Sequence, residues 1–247
     1  DLFGTGKRVL VMGFQPKGSK EADNLGQMAY FSPNPEDPYS EWEMHPISEE
    51  AKPDHPIPGT MKFSHGLGVM ILDSFVPRGV EKTCGPGNYH WGWRRAEDAY
   101  SALDYLVENK LAIPGEVYAM GRSNGGTAAL MVSHSQYASN HRNTFAGVFA
   151  VSPACDGITK GKFMTPVVLF TGDKDNANDP KVCQEIQSDK VELVLFKGVH
   201  HGYEDKGPSY VMSNGWRMEY NAKADKETID RSLAFIKTRT LHVSSGH

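Results

Sequence analysis

Short apolar runs alternate with longer stretches of helical spacing along most of this chain. Residues 7–13, 68–73, 117–120, 145–151, 166–171 and 191–196 are each compact, rich in Val, Leu, Ile, Met or Phe, and bounded by glycine or polar turns. Runs of that length and composition predict strands buried on both faces. Between them, residues 94–108 carry Ala99, Leu103, Leu106 and Val107 on one helical face. Near the end, Met218, Ala222, Ile229, Leu233 and Ile236 predict a closing amphipathic helix. Strands alternating with helices predict one α/β domain over residues 1–247, with a mostly parallel sheet and helices on both of its faces.

One segment breaks the alternation. Seven of the fifteen prolines fall within residues 33–58, mixed with acidic residues and with Tyr39, Trp42 and Met44. Such a segment holds neither a long helix nor a central strand. It is expected to form a long loop over the body of the domain. Loops of that length in compact domains are often functional lids, and Trp42 is a candidate substrate contact within it.

Composition narrows the classes of function. The chain has 247 residues, 39% of them hydrophobic and 23% charged, with a net charge of −4. Its basic residues are scattered, which argues against a nucleic-acid surface. No apolar run approaches the ~18 residues of a membrane span. The start at Asp1 leads us to expect a processed or trimmed form, with any targeting segment out of view. Three cysteines decide little by number. Gly4-Thr-Gly-Lys7 lacks the spacing of a phosphate loop and precedes a strand instead of a helix.

The candidate chemistry centres on Gly121-Arg122-Ser123-Asn124-Gly125, a G-x-S-x-G pattern between a predicted strand and a helix of small residues. On so tight a turn, side chains two residues either side of the serine would collide, hence glycine at both places. The turn lifts the Ser123 hydroxyl above the sheet edge, and the Asn124 amide faces the place where an oxyanion would form. A serine nucleophile needs a base, and the base an orienting carboxylate. The strand ending at Thr171 runs into Gly172-Asp-Lys-Asp175, and the one ending at Phe196 runs into Gly198-Val-His-His201-Gly-Tyr203. An acidic turn and a histidine turn thus follow Ser123, in the order Ser, Asp, His. For the second oxyanion amide, Phe14 at the end of the first strand is better placed than His65-Gly66-Leu67-Gly68, which runs directly into a strand.

On these motifs the chain resembles the dienelactone hydrolase family of the α/β-hydrolase superfamily, in its serine-bearing branch. The likeness covers roughly residues 66–237. It rests on Leu72-Asp-Ser-Phe-Val-Pro-Arg-Gly79 with Thr83-Cys84, on residues 95–106, on the Ser123 turn, on Thr171-Gly-Asp-Lys-Asp175 with Cys183 eight residues on, and on His200-His-Gly-Tyr203. The resemblance implies an α/β-hydrolase fold with Ser123 as nucleophile, Asp175 as acid and His201 as base. It also implies Asn124 and Phe14 as oxyanion donors and a disulfide between Cys155 and Cys183, with Cys84 free. Arg122 and Tyr203 join Trp42 as candidate substrate contacts. Four features depart from the family pattern: serine replaces cysteine, Met12-Gly13 replaces the His-Gly motif after the first strand, Arg122 stands where a neutral bulky residue is usual, and residues 15–65 have no counterpart.

The expected activity is hydrolysis of a small-molecule carboxylic ester without cofactor or metal, in a secreted or periplasmic protein, with a cytoplasmic home as the alternative. The same machinery would serve thioesters, lactones or acyl-peptides. A non-catalytic binding protein on the same fold is the competing class. His200 and His201 are adjacent, point opposite ways on extended backbone, and make a poor metal pair.

Overall fold

The computed structural model describes residues 8–13, 29–32, 43–46, 59–64, 67–72, 74–75, 78, 92–158, 161–186 and 188–244. In chain order the strands β1 (Arg8–Gly13), β2 (Ala29–Ser32), β3 (Glu43–Pro46), β4 (Gly59–Ser64) and β5 (Leu67–Leu72) come first. Then follow α1 (Gly92–Glu108), β6 (Val117–Arg122), α2 (Asn124–Ser133), α3 (Ser135–Ala138), β7 (Gly147–Val151) and β8 (Val167–Gly172). The chain continues through α4 (Pro180–Gln184), β9 (Val191–Phe196), β10 (Tyr210–Val211), β11 (Arg217–Met218) and α5 (Ala222–Ser244).

Among the described residues the main sheet has nine strands in the order β3-β2-β4-β5-β1-β6-β7-β8-β9. Every pairing from β5 across to β9 is parallel. β4 joins β5 antiparallel, and β3 closes the far edge antiparallel to β2. The strands before α1 lie to one side of β1, and those from β6 onward lie to the other. The carboxyl ends of β1 and β6 therefore flank the point where the strand order reverses, which is where open α/β sheets collect their ligands.

Period-two alternation divides the core between the two faces of the sheet. Val117, Ala119, Val148, Ala150, Val167 and Leu169 belong to a cluster with Tyr100, Leu103 and Leu106 of α1 and Leu130 and Val132 of α2. Their neighbours Tyr118, Phe149, Val151, Val168 and Phe170 belong to a second cluster with Ala224 and Ile236 of α5. β6, β7 and β8 are apolar on both sides, which is why each reads as a continuous run. β9 does not meet that expectation: it is buried only at Val194 and Phe196, with Leu195 41% exposed. The hydroxyl of the fully buried Tyr100 donates to the Val132 carbonyl at 2.6 Å, fastening α1 to α2. Emptying a site such as Leu103 by substitution with alanine costs about 2–5 kcal/mol.

Two expectations are corrected. Residues 43–46 of the proline-rich segment form an edge strand, not a loop. Proline is tolerated on an edge strand, where its missing N–H breaks no inner ladder. The remainder of residues 33–58, with Trp42 and the lid expected there, lies outside the described residues, as do Phe14 and Cys84. The closing helix begins at Ala222, whereas Met218 belongs to β11. Ile229 is 40% exposed; the buried face of α5 is Ala224, Thr228, Ser232 and Ile236, a four-residue spacing. Its two hydroxyl side chains are satisfied locally: Ser232 Oγ donates to the Thr228 carbonyl, and Thr228 Oγ1 shares a hydrogen bond with Tyr203.

Cys155 and Cys183 form a disulfide, with Cα atoms 5.1 Å apart and a separation of 28 residues. It joins the segment after β7 to α4, behind the turn that carries Asp175. Closing a loop of that length stabilises by about 3–4 kcal/mol on the chain-entropy account. Denatured without reductant, the chain should expose one reactive thiol from its three cysteines. Three thiols would contradict the bond.

Candidate active site

β6 ends where α2 begins, with a single residue, Ser123, between them. Ser123 has φ 52° and ψ −119°, a conformation that L-residues rarely adopt. Such a backbone costs of order 1–3 kcal/mol and persists only when its surroundings over-determine it. Here the Ser123 amide donates to the Val151 carbonyl at 2.8 Å, and the Thr127 amide donates to the Ser123 carbonyl at 3.0 Å. Thr127 Oγ1 in turn accepts from the Ala154 amide at 3.0 Å, tying the first turn of α2 to the chain leaving β7. Glycine is required beside this turn: a Cβ on Gly121 would run into the Gly125 carbonyl, and one on Gly126 would lie 2.7 Å from the Val151 carbonyl.

The acidic turn follows β8. One oxygen of Asp175, Oδ1, accepts from the amides of Ala177 and Asn178, both at 2.9 Å. Its other oxygen, Oδ2, lies 2.7 Å from His201 Nδ1. Asn178 also donates through Nδ2 to the Ser152 carbonyl at 2.7 Å, so the turn is anchored to the end of β7. The carboxyl group thus has three partners, the imidazole among them. The other two acids nearby do different things. Asp173 Oδ1 accepts from the Gly198 amide at 2.6 Å, bracing the histidine turn. Asp179 caps α4, accepting from the Lys181 amide at 3.0 Å, with Pro180 at the first helical position.

The histidine turn follows β9. His201 Nε2 is 3.0 Å from Ser123 Oγ, which completes a chain from Asp175 through the ring to the serine. His201 and Asp175 are 3% and 5% exposed, while Ser123 is half-buried, so the serine is the most exposed of the three. The turn is fixed by Glu219 N–H donating to the His201 carbonyl at 3.1 Å and Asn221 N–H donating to the Tyr203 carbonyl at 2.8 Å. In the tautomer that donates Nδ1–H to Asp175, the ring presents an acceptor nitrogen to the Ser123 O–H.

Three further residues answer the sequence expectations. Asn124 begins α2, so its amide is one of those without an intrahelical acceptor. Its side-chain oxygen accepts from Arg95 Nη1 at 2.7 Å, and Arg95 is buried on α1. Tyr203 is corrected: it is fully buried against Phe196, with its hydroxyl 2.8 Å from Thr228 Oγ1, so it is a core residue and no substrate contact. Burial pushes its phenol well above the ordinary range. Arg122 is also reassigned. Its guanidinium is taken up by Glu204 at 2.6 Å and Asp205 at 2.9 Å, not by an open pocket. Those two acids went unread in the sequence; the signal was an arginine inside G-x-S-x-G with Glu-Asp directly after His-Gly-Tyr.

Residues 85–190, which include Ser123 and Asp175, match the profile of the Prolyl oligopeptidase family. No curated protein matches the chain in sequence. Among solved structures, a thermophilic esterase of Thermogutta terrifontis with propionate bound is 14% identical, with 94% of this chain and 83% of that one covered and a TM-score of 0.53. The fold is that of the α/β-hydrolases. A Klebsiella pneumoniae protein assigned provisionally to the dienelactone hydrolases is 12% identical over 70% of this chain and 75% of its own, with a TM-score of 0.47. A serine hydrolase homologue from Coxiella burnetii is 23% identical over 55% of this chain and 62% of its own, with a TM-score of 0.40.

In this α/β-hydrolase frame the serine turn leaves no room for a side chain at residue 121. Gly121→Ala should therefore distort the Ser123 conformation or unfold α2, with a loss of stability of about 1–3 kcal/mol read by denaturant melts. A Gly121→Ala protein as stable as the parent would contradict the close approach.

Proposed function

We propose that the protein is a serine hydrolase that cleaves carboxylic esters through an acyl-enzyme. The observation that carries this reading is the unbroken chain Asp175–His201–Ser123, at 2.7 and 3.0 Å, ending on a strained and accessible serine. His201 Nε2 takes the Ser123 proton as the hydroxyl attacks the ester carbonyl. Asp175 holds the ring in the tautomer that leaves Nε2 free and stabilises the cation that forms. The Asn124 amide receives the developing oxyanion, with the Phe14 amide as the second donor expected from sequence. Each such donor is worth about 10²–10³ in rate. The alcohol leaves with the proton from His201. The ring then activates water to release the acid.

The match to the Prolyl oligopeptidase family favours a second reading, hydrolysis of acyl-peptides by the same three residues. The two differ in the leaving group, so parallel assays with a nitrophenyl ester and an acyl-peptide nitroanilide separate them. The disulfide suits an oxidising compartment such as a periplasm or the cell exterior. No described helix is long and apolar enough to cross a membrane.

Asp175→Asn should lower kcat on nitrophenyl acetate by about 10⁴-fold, because the amide would favour the wrong ring tautomer. Asp179→Ala should leave kcat intact and cost about 1 kcal/mol of stability by removing the helix cap. The reverse pattern in the two variants would overturn the assignment of the acid.

A further inference from the structure

Arg122 directly precedes Ser123, and Glu204 and Asp205 come three and four residues after His201. The guanidinium Nε lies 2.6 Å from Glu204 Oε1 and Nη2 lies 2.9 Å from Asp205 Oδ2. The two turns that must hold their side chains 3.0 Å apart are therefore also joined at Arg122, across a sequence separation of 83 residues to Asp205. We infer that Arg122 and Glu204 are a positioning pair, whose ion contact fastens the histidine turn to the serine turn and so sets the His201 ring against Ser123 Oγ. The inference rests on the hydrolase reading above and adds to it two residues that do not touch substrate.

The other holds on the histidine turn point elsewhere. Tyr203 anchors it to α5 through Thr228. Glu219 and Asn221 hold its carbonyls from the stretch before α5. Gly202, with φ 67°, is pressed by Met218: a Cβ there would sit 2.7 Å from Met218 Cε and 3.9 Å from Arg122 Nη2. These contacts fix the turn to its own side of the site, and Arg122 fixes it to the serine.

Glu204 is an expensive way to do this if stability were the only gain. Both of its carboxyl oxygens are closed to solvent, and no side chain among the described residues donates to them in line. The Arg122 contact at 2.6 Å is close but not aligned, so it supplies attraction without a directed bond. Burial pushes the Glu204 carboxyl up, and Arg122 only partly holds it back. For Arg122 burial acts to lower the guanidinium, but Glu204 and Asp205 together outweigh it. One cation shared between two acids favours the cation more than it relieves the buried acid. The other charges that reach the pair are His201 of the same turn, Tyr203 behind it and Tyr210 of β10. An acid raised in the folded state stabilises the fold while protonated, and that contribution is lost as pH rises through its folded value. Above its folded value, ionised Glu204 thus works against the fold, and Gln in its place should not lower stability there.

The test uses Glu204→Gln, Arg122→Gln and the double variant, read by kcat and KM on a nitrophenyl ester and by melting temperature at pH 8 and in acid. Glu204→Gln should keep or raise the melting temperature at pH 8, with the difference shrinking in acid, yet lower kcat about 10-fold at unchanged KM. Arg122→Gln should lower kcat as much. The double variant should be no worse than the poorer single one, since the two act as a unit, and Arg122→Lys should recover part of the loss. Full kcat in Glu204→Gln, or a loss that only follows a lower melting temperature, overturns the pair. If the parent does not hydrolyse the ester, the hydrolase reading fails by itself. The pair is then read from the proton resonance of the His201 N–H bonded to Asp175: displacement or broadening in Glu204→Gln sustains it, and an unchanged signal ends it.

Discussion

The structure around the candidate site depends on one strained backbone, that of Ser123. An L-residue at φ 52° and ψ −119° does not stay there unaided. It is held from below by the Val151 carbonyl, from ahead by α2, and from beside by the absence of side chains at residues 121 and 126. The buried parallel strands supply the rigidity. β6 and β7 are apolar on both faces and locked between two helical layers, so the carbonyl that accepts from Ser123 cannot retreat. A strand-to-helix turn with any longer connection would relax the strain and lower the hydroxyl toward the sheet.

Asp175 and His201 stand on the turns after β8 and β9, beyond β7 in the sheet, and each turn spends its backbone donors deliberately. Asp175 takes two amides from its own loop before it meets the imidazole, so it is held in place and hydrogen-bonded although it is 5% exposed. Gly172 makes the two turns neighbours: a Cβ there would strike the Val199 carbonyl, which already accepts from Lys174. Asp173 completes the brace at Gly198. The disulfide holds the far end of the same loop. Support from strands, sulfur and hydrogen bonds converges on the His201 ring, which a catalytic role would require to be placed to within about 0.5 Å.

Much of this was readable before any coordinates. The strands from β5 to β8 stood out because both their faces are buried, which leaves runs that few other elements produce. The order serine, acid, histidine followed from turns placed at strand ends. The edge was less readable. β2 and β3 are four residues each, and Pro46 masks the second. β4 does show Met61 and Phe63 alternating with Thr60, Lys62 and Ser64, a period that went unused beside the prolines. The face of α5 was misplaced because Thr228 and Ser232 are polar by type yet satisfied within the fold, so apolar spacing pointed to the exposed Ile229 instead. Tyr203 failed for the same reason: an aromatic beside the histidine looks like a substrate contact until its hydroxyl finds a partner in the core. The partners of Arg122 lie more than eighty residues away and only a structure brings them together.

The central claim, that strain, base and carboxylate together make Ser123 a nucleophile, is tested most directly by covalent labelling. A free serine hydroxyl is a poor nucleophile at neutral pH, so capture by an organophosphonate reports the whole arrangement at once. Mass spectrometry of the digested adduct should find one equivalent of label on the peptide that contains Gly121 to Gly125. Labelling should be lost in Ser123→Ala and also in His201→Ala, while both variants stay folded. Label on a different peptide, or equal labelling after His201 is removed, would contradict the account.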